Sequence, residues 1–357
     1  MRWDAQKLGT DDTAALPGLA LAGLLRSVRT PEFAGVTFHE VVCRSALNKV
    51  PEASRMPFRW TVNPTRGCLH ACTYCFARPT HEYLEMDAGR DFETQIVVKT
   101  NVVDVLRAEL ARPSWKQEHV ALGTNTDPYQ RVEGRYRFMP GIIESLAHSG
   151  TPLSILTKGT LLRRDLPLLA EVARAVPVGI GVSLAIRDET LQQAVEPGTP
   201  TPRARLDLIR AVREAGLPCG VMVAPVLPWL TDDRAHLDSL LRDLADAGAT
   251  GVTVLPLHLR GPVKPLFLAW LRDHAPALVR RYEVLYGRGA YAPREYVRWL
   301  DERVRPLLVR HGFADRAGHR AGRYETPGEG SYPAGSLASA GLTVLEPTVA
   351  AAQPVLF

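Results

Sequence analysis

Cysteine is scarce in this chain, with five in 357 residues, and lysine nearly as scarce, with six among 43 cations. Long apolar runs are missing as well. The best stretch, "LPGLALAGLL" at 16–25, falls short of the roughly 20 residues that cross a bilayer. Asp4, Asp11 and Asp12 precede it, where a secretory leader carries positive charge. These absences argue against a membrane span, and the expected location is cytoplasmic. Disulfides are not expected there, so clustering of the few cysteines points to a metal or redox site. No block of like charge stands out either. The net charge of +5 and pI near 9.0 rest mainly on arginine. Arginine grips phosphate bidentately, which permits a nucleic-acid partner. Coding bias in a chain rich in Ala, Arg, Gly, Leu and Pro accounts for the same balance more simply.

What is present is an ordinary globular composition, 46% hydrophobic and 23% charged, long enough for one large domain or two modest ones. From about Arg59 six β-rich runs alternate with amphipathic helices. They are "RWTVNP" (59–64), "EHVALGT" (118–124), "PLSILTK" (152–158), "PVGIGVSLA" (177–185), "LPCGVMVAPVLP" (217–228) and "GVTVLPLHL" (251–259). Leu169, Val172, Ala173 and Val176 mark one helix face, and Leu237, Leu240, Leu241 and Leu244 another. Thr231, followed by Asp232 and Asp233, is the expected start of that second helix. Gly150, Gly216 and Gly248 are read as helix ends just before strands. Continuously apolar strands separated by helices predict a parallel sheet covered on both faces. Six such units are fewer than the eight of a closed barrel, and an open doubly wound sheet is the other solution. In either, the active site sits where strand carboxyl ends meet the following loops.

Three of the five cysteines, Cys68, Cys72 and Cys75, crowd the loop after the first of these strands, in "NPTRGCLHACTYCFARPTH" (63–81). The spacing is C-x3-C-x2-C. Three thiolates can hold three irons of a [4Fe–4S] cluster and leave the fourth open to a small molecule. A Cys3His zinc site with His81 is the rival, but zinc motifs usually split their ligands into two separated pairs. A redox pair of Cys72 and Cys75 leaves Cys68 unexplained. Three buried thiols by chance suit so tight a polar loop poorly.

This loop, with "GTNTDPYQRVEG" after the second strand and "LTKG" after the third, resembles the radical S-adenosylmethionine (SAM) superfamily. Within it the likeness is to the spore photoproduct lyase-like branch, labelled DNA repair photolyase, in an actinobacterial subgroup. It covers roughly 62–258. The resemblance implies an α/β fold, a partial (β/α)6 radical SAM barrel with extra C-terminal helices and a flexible C-terminal tail. The corresponding division is 1–55 extension, 56–262 core, 263–314 helices and 315–357 tail. It implies a [4Fe–4S] cluster on Cys68, Cys72 and Cys75, with SAM chelating the open iron.

For SAM, the resemblance assigns the amino group to Thr124, Thr126 and Asp127, for which an Asp-Pro turn is the plainer reading. Lys158, at the end of the third strand, pairs with the carboxylate, unless it is only a solvated strand end. Ser183 donates to carboxylate or ribose, or else is a core hydroxyl. Tyr74 lies at the adenine edge or simply packs. Glu196 and Arg205 fall beside the SAM site, or form an acidic turn and a surface arginine. Residues 224–232 form an apolar wall facing adenine, and Asp232 caps the next helix. Cys219 is expected as a buried hydrophobe at the opposite end of the barrel, and Cys43 has no assigned place.

The implied chemistry is one-electron cleavage of SAM to methionine and a 5′-deoxyadenosyl radical, which takes a hydrogen atom from the substrate. It needs an electron donor of the flavodoxin or ferredoxin type. Nucleic acid is the implied substrate, yet the branch's dimer lyase returns hydrogen from a cysteine; none occurs in "GTNTDPYQ" or beside Ser183, and Cys43 is the only free candidate. The reading from another class is a non-catalytic metal or iron–sulfur module of a DNA-repair assembly. Beyond the last strand, 265–286 and 295–312 are read as two helices, with Arg280, Arg281, Arg294 and Arg298 as candidate phosphate contacts. The final "QPVLF", beginning at Gln353 and ending at Phe357, resembles the peptide that repair proteins insert into a groove of the sliding clamp.

Overall fold

The structure, a computed structural model, describes residues 23–54, 56, 58–313 and 336–338. The amino-terminal strands are β1 (Leu24–Val28), β2 (Thr37–Val41) and β3 (Leu47–Lys49). Then follow β4 (Trp60–Val62), β5 (Thr65–Arg66), β6 (Gln95–Lys99), β7 (Val120–Leu122) and β8 (Leu153–Thr157). The series ends with β9 (Val178–Ser183), β10 (Gly220–Val226), β11 (Gly251–Pro256) and β12 (Leu337–Ala338).

Each of the six expected runs contains one strand: β4, β7, β8, β9, β10 and β11. They lie side by side in chain order, and every neighbouring pair is parallel. Among the described residues the sheet does not close: β11 is one edge, and β3, antiparallel to β4, is the other. Val62, Leu122, Ile155, Ile180 and Val221 have no exposure, as expected of strands covered on both faces. The connections carry helices, among them Phe138–His148, Leu166–Val172, Pro202–Glu214 and Arg234–Asp246. Gly150, Gly216 and Gly248 end the preceding helices at φ of 69°, 77° and 83°, the left-handed turn that glycine adopts most easily.

A second sheet, in the order β1-β2-β6-β5, stands beside the first. β6 was not among the expected strands. Residues of the amino-terminal extension thus join both sheets, β2 running parallel to β6 and β3 pairing with β4. β12 adds a short antiparallel rung to the start of β9, Leu337 opposite Gly179.

Three local expectations need correction. The stretch 265–286 is two helices, Val263–His274 and Pro276–Tyr286, because Pro276 lacks the N–H that would continue the first. With Arg294–Arg310 this makes three helices where two were expected. Helix Arg234–Asp246 is capped by Asp233, which accepts from the His236 amide at 2.9 Å. Thr231 instead accepts from the Leu227 amide at 2.8 Å, and Asp232 accepts from the Tyr296 hydroxyl at 2.8 Å. Cys219 is fully buried just before β10, as expected. The clamp-like peptide from Gln353 to Phe357 lies outside the described residues. No helix among the described residues is long and apolar enough to cross a membrane.

Candidate active site

The loop after β4 turns at Gly67, whose φ is 84° and where a Cβ would stand 2.8 Å from the Phe92 carbonyl oxygen. Only glycine accepts both conditions. Ala71, between Cys68 and Cys72, is also left-handed, at φ 53°. Backbone bonds shape the rest: Cys68 N to Phe92 O at 2.9 Å, Cys75 N to Cys72 O at 3.2 Å, and Thr73 N to Val195 O at 3.0 Å.

Two buried side chains clamp this loop from outside. The Arg78 guanidinium donates to the carbonyls of Cys72 (3.0 Å), Ala71 (3.1 Å) and Gly89 (2.6 Å), and to Glu93 at 2.7 Å. The Gln130 amide accepts from Leu69 N at 2.8 Å and donates to Gly67 O and to Thr65 Oγ1, both at 3.1 Å. Gly198 closes the loop from a third side, its N–H meeting His70 O at 3.1 Å. A Cβ there would fall 1.8 Å from Leu69 O.

Opposite the cysteines stand the carboxyl ends of β7, β8 and β9. Asp127 accepts from the Lys158 amide at 2.6 Å, the Thr157 hydroxyl at 2.5 Å and the Tyr129 amide at 2.9 Å. Its other neighbour is His70, Nε2 being 3.1 Å from Oδ2 but off the line of a hydrogen bond. Burial alone would raise the Asp127 carboxyl; His70 and the donors from Lys158 and Thr157 outweigh it and hold the group below its ordinary value. Thr126 meets Thr65 hydroxyl to hydroxyl at 3.1 Å.

Lys158 donates to Ser183 Oγ at 2.9 Å, and its ammonium lies over the Tyr74 ring, 5.9 Å from the centroid. The Tyr74 hydroxyl donates to Glu196. Glu196 is paired through its other oxygen with Arg205 at 2.6 Å, and Lys158 stands 3.9 Å away. Burial opposes the Lys158 charge, yet Glu196 and the Cys72 sulfur outweigh it and raise the ammonium above its ordinary value. Arg205, which sequence left as a surface arginine in one reading, is fully buried and also donates to Ser183 O at 3.1 Å.

All nine candidate residues line one cavity: Cys68, Cys72, Cys75 and Tyr74 on one side, with Thr124, Thr126, Asp127, Lys158 and Ser183 on the other. A family model for the radical SAM superfamily matches residues 62–252, a span that includes all nine of these residues. The chain belongs to the radical SAM superfamily. An uncharacterized protein of Mycobacterium tuberculosis is 62% identical over 330 residues, covering 91% of this chain and 96% of that protein. An uncharacterized protein of Acidianus two-tailed virus is 30% identical over 209 residues, 57% of this chain and 68% of its own length. Among solved structures, spore photoproduct lyase complexed with a dinucleoside spore photoproduct superposes with a TM-score of 0.59 at 18% identity. That match covers 78% of this chain and 80% of the lyase. A point mutant of the lyase gives a TM-score of 0.60 at 17% identity, covering 85% and 87%. The likeness at this identity is one of fold.

In this radical SAM enzyme the donor set suits an iron–sulfur cluster. The three thiols are free. Burial pushes Cys68 up to about 12 and raises Cys72 and Cys75 as well, so three thiolates need a cationic centre to form. No three metal-ligating side chains among the described residues converge on a single ion position. His81, the rival zinc ligand, has Nε2 at the Gln95 carbonyl, 2.9 Å away. Sequence reasoning passed over Arg78, Gln130 and Gly198. Gln130 closes the "GTNTDPYQ" motif, which could have flagged it; the others carry no local signal.

Proposed function

We propose that the chain holds a [4Fe–4S] cluster on Cys68, Cys72 and Cys75 and binds SAM across the cavity. The observation behind this is that residues from one loop and the ends of three strands, far apart in sequence, meet in a single cavity. Bound together, cluster and SAM supply reductive cleavage of a carbon–sulfur bond and a 5′-deoxyadenosyl radical. Asp127, fixed as an anion by its three donors, with Thr124 and Thr126, accepts from the amino group of SAM. Lys158, oriented by Ser183 and Glu196, is the counter-charge to the carboxylate. Tyr74, tied to Glu196, holds the loop's aromatic against the cofactor side. Apolar Leu156, Met222, Pro225 and Leu257 line the remainder and keep water from a reactive species.

The substrate is nucleic acid, in keeping with the open sheet edge and with a fold neighbour bound to a dinucleoside. The electron comes from a donor of the flavodoxin or ferredoxin type. The cavity wall offers no cysteine beyond the three of the loop. Cys43 instead lies outside it, its amide on Asn101 at 2.8 Å, so hydrogen return from a cavity thiol is not part of the reading. Anaerobic reconstitution tests it: iron and sulfide are assayed, then 5′-deoxyadenosine after dithionite reduction, with undamaged and damaged DNA. Cys72→Ala should lose cluster and cleavage together. Iron bound without any SAM cleavage would leave a non-catalytic module.

A further inference from the structure

Three aromatic rings stand exposed between residues 229 and 299: Trp229 (40% exposed), Tyr291 (40%) and Trp299 (38%). Each has an arginine over its ring, Arg281 at 5.8 Å, Arg260 at 5.0 Å and Arg303 at 4.2 Å from the centroid. The first two pairs adjoin residues of the cavity wall, one through a backbone bridge and one along the chain. Arg260 is a wall residue, and Tyr291 is bridged through its backbone to His258, another wall residue. Of the stretch 224–232 expected to face adenine, only Ala224 and Pro225 line the cavity; Trp229, in the turn leaving β10, lies outside it. Helix Pro276–Tyr286 ties this turn to the neighbouring strand exit. Tyr282 donates to Pro228 O at 2.7 Å, and Tyr286 donates to Leu257 O at 2.9 Å.

Trp229 is held out against two penalties. Its φ is 60°, and it is the one aromatic among the five non-glycine residues at positive φ in the described residues. A bulky side chain in that region is strained. The turn nevertheless fixes it there, with Leu230 N and Thr231 N on Leu227 O at 3.1 and 2.9 Å. Tyr282 meets the ring edge-on, 5.5 Å between centroids. Strain and exposure together mark a position shaped for contact rather than for packing.

Charge points the same way. Residues 260–298 contain eight cations against three carboxylates, an excess as large as the net +5 of the entire chain. Among the described residues Arg280 finds a carboxylate, Glu283 at 3.7 Å, whereas exposed Arg281, Arg288, Arg294 and Arg298 pair with none.

We propose that this rim docks an unpaired nucleic-acid strand, with one base stacked on Trp229 and Arg281 at the adjoining phosphate. The inference rests on the reading of the cavity given above. In a duplex the base faces are covered by their neighbours and only edges and phosphates are offered. Exposed ring faces flanked by cations suit bases that are splayed out.

The test is fluorescence anisotropy with reconstituted full-length protein and a labelled single strand, as DNA and as RNA, against the same sequence as duplex. The single strand should bind about tenfold tighter than the duplex, and Trp229→Gly should remove about that factor. Glycine suits the left-handed backbone, so this variant keeps its fold, with an unchanged or higher melting temperature as the check. Trp229→Phe, which keeps part of the stacking face, should lose less. Arg281→Ala should flatten the slope of log affinity against log salt by about 0.7. SAM cleavage without oligonucleotide should be unchanged in these variants. Equal affinity for single strand and duplex, or parental binding by Trp229→Gly, overturns the proposal. Cleavage without strand preference sinks this inference and spares the enzymatic reading; strand preference without cleavage does the reverse.

Discussion

Glu196 and Arg205 form a 2.6 Å ion pair in which neither side chain has any exposure, and the same carboxylate takes the Tyr74 hydroxyl and faces Lys158. Removing one partner of a buried pair costs about 3–5 kcal/mol, because the other charge stays behind. Glu196→Ala should therefore lower the melting temperature sharply, and Glu196→Gln less. Burial alone would raise this carboxyl, but Arg205 and Lys158 hold it below its ordinary 4.5. A depressed folded value gives stability that is full above the unfolded value and lost as pH falls through the folded one. The stability gap between parent and Glu196→Gln should thus be widest near neutral pH and narrow as pH falls below the ordinary 4.5, as urea unfolding at both ends will read. A constant gap would contradict the pairing.

Gly198→Ala should fold poorly around the cysteine loop. Its Cβ would stand 1.8 Å from Leu69 O, a backbone atom that cannot give way without moving the loop. Iron content after reconstitution should fall severalfold. Gly216→Ala is the matched control: φ is 77° but nothing lies within 4 Å, so it should lose only about 1–2 kcal/mol and keep its iron. Equal iron in both variants would show that the loop tolerates displacement.

What was legible in the sequence and what was not divides along the same line. The six parallel strands showed because each is a short apolar run buried on both faces, and the cysteine loop showed because its ligands are local. β6, "QIVVK", is just such a run, yet it lies within the stretch between the first two expected strands, where a helical connection was anticipated. It joins a sheet whose other members, β1, β2 and β5, are too short or too polar to announce themselves. Pro276 is a local signal in the sequence, and it breaks the helix. Arg78, Gln130, Gly198 and Arg205 act through atoms brought close only by the fold. Arg205 shows the difficulty plainly: at helix spacing it is indistinguishable from a solvated arginine, and only the fold sets it against Glu196 and the Ser183 carbonyl.

Gln130→Ala should weaken the site without unfolding the barrel. The amide is buried and binds Leu69 N, Gly67 O and Thr65 Oγ1. Its loss leaves a buried N–H unpaired, which costs about 1–3 kcal/mol. Most of that cost falls on the cluster loop. The expected result is a small drop in melting temperature with faster loss of iron to a chelator. Gln130→Glu can still accept from Leu69 N but cannot donate, and should fall between. Unchanged iron release in the alanine variant would remove Gln130 from the loop's support.

His119 should make the fold acid-sensitive well above the range of its carboxylates. Burial pushes the imidazole from 6.5 down to about 4, and its Nε2 meets Ser154 Oγ at 2.9 Å while Nδ1 has no partner. The folded protein therefore keeps this ring neutral where the unfolded chain protonates it. Here the folded value lies below the unfolded one, so below pH 6.5 the unfolded state binds more protons and stability falls with pH. The loss runs from about 6.5 to about 4 and then levels off. At 1.36 kcal/mol per unit the single ring is worth about 3 kcal/mol across that window. His119→Gln removes the titration and retains a partner for Ser154. Denaturant unfolding at about pH 7 and pH 4.5 should show the parent losing more stability than the variant between the two. Parallel losses would mean that His119 is protonated in the folded state or is reached by water.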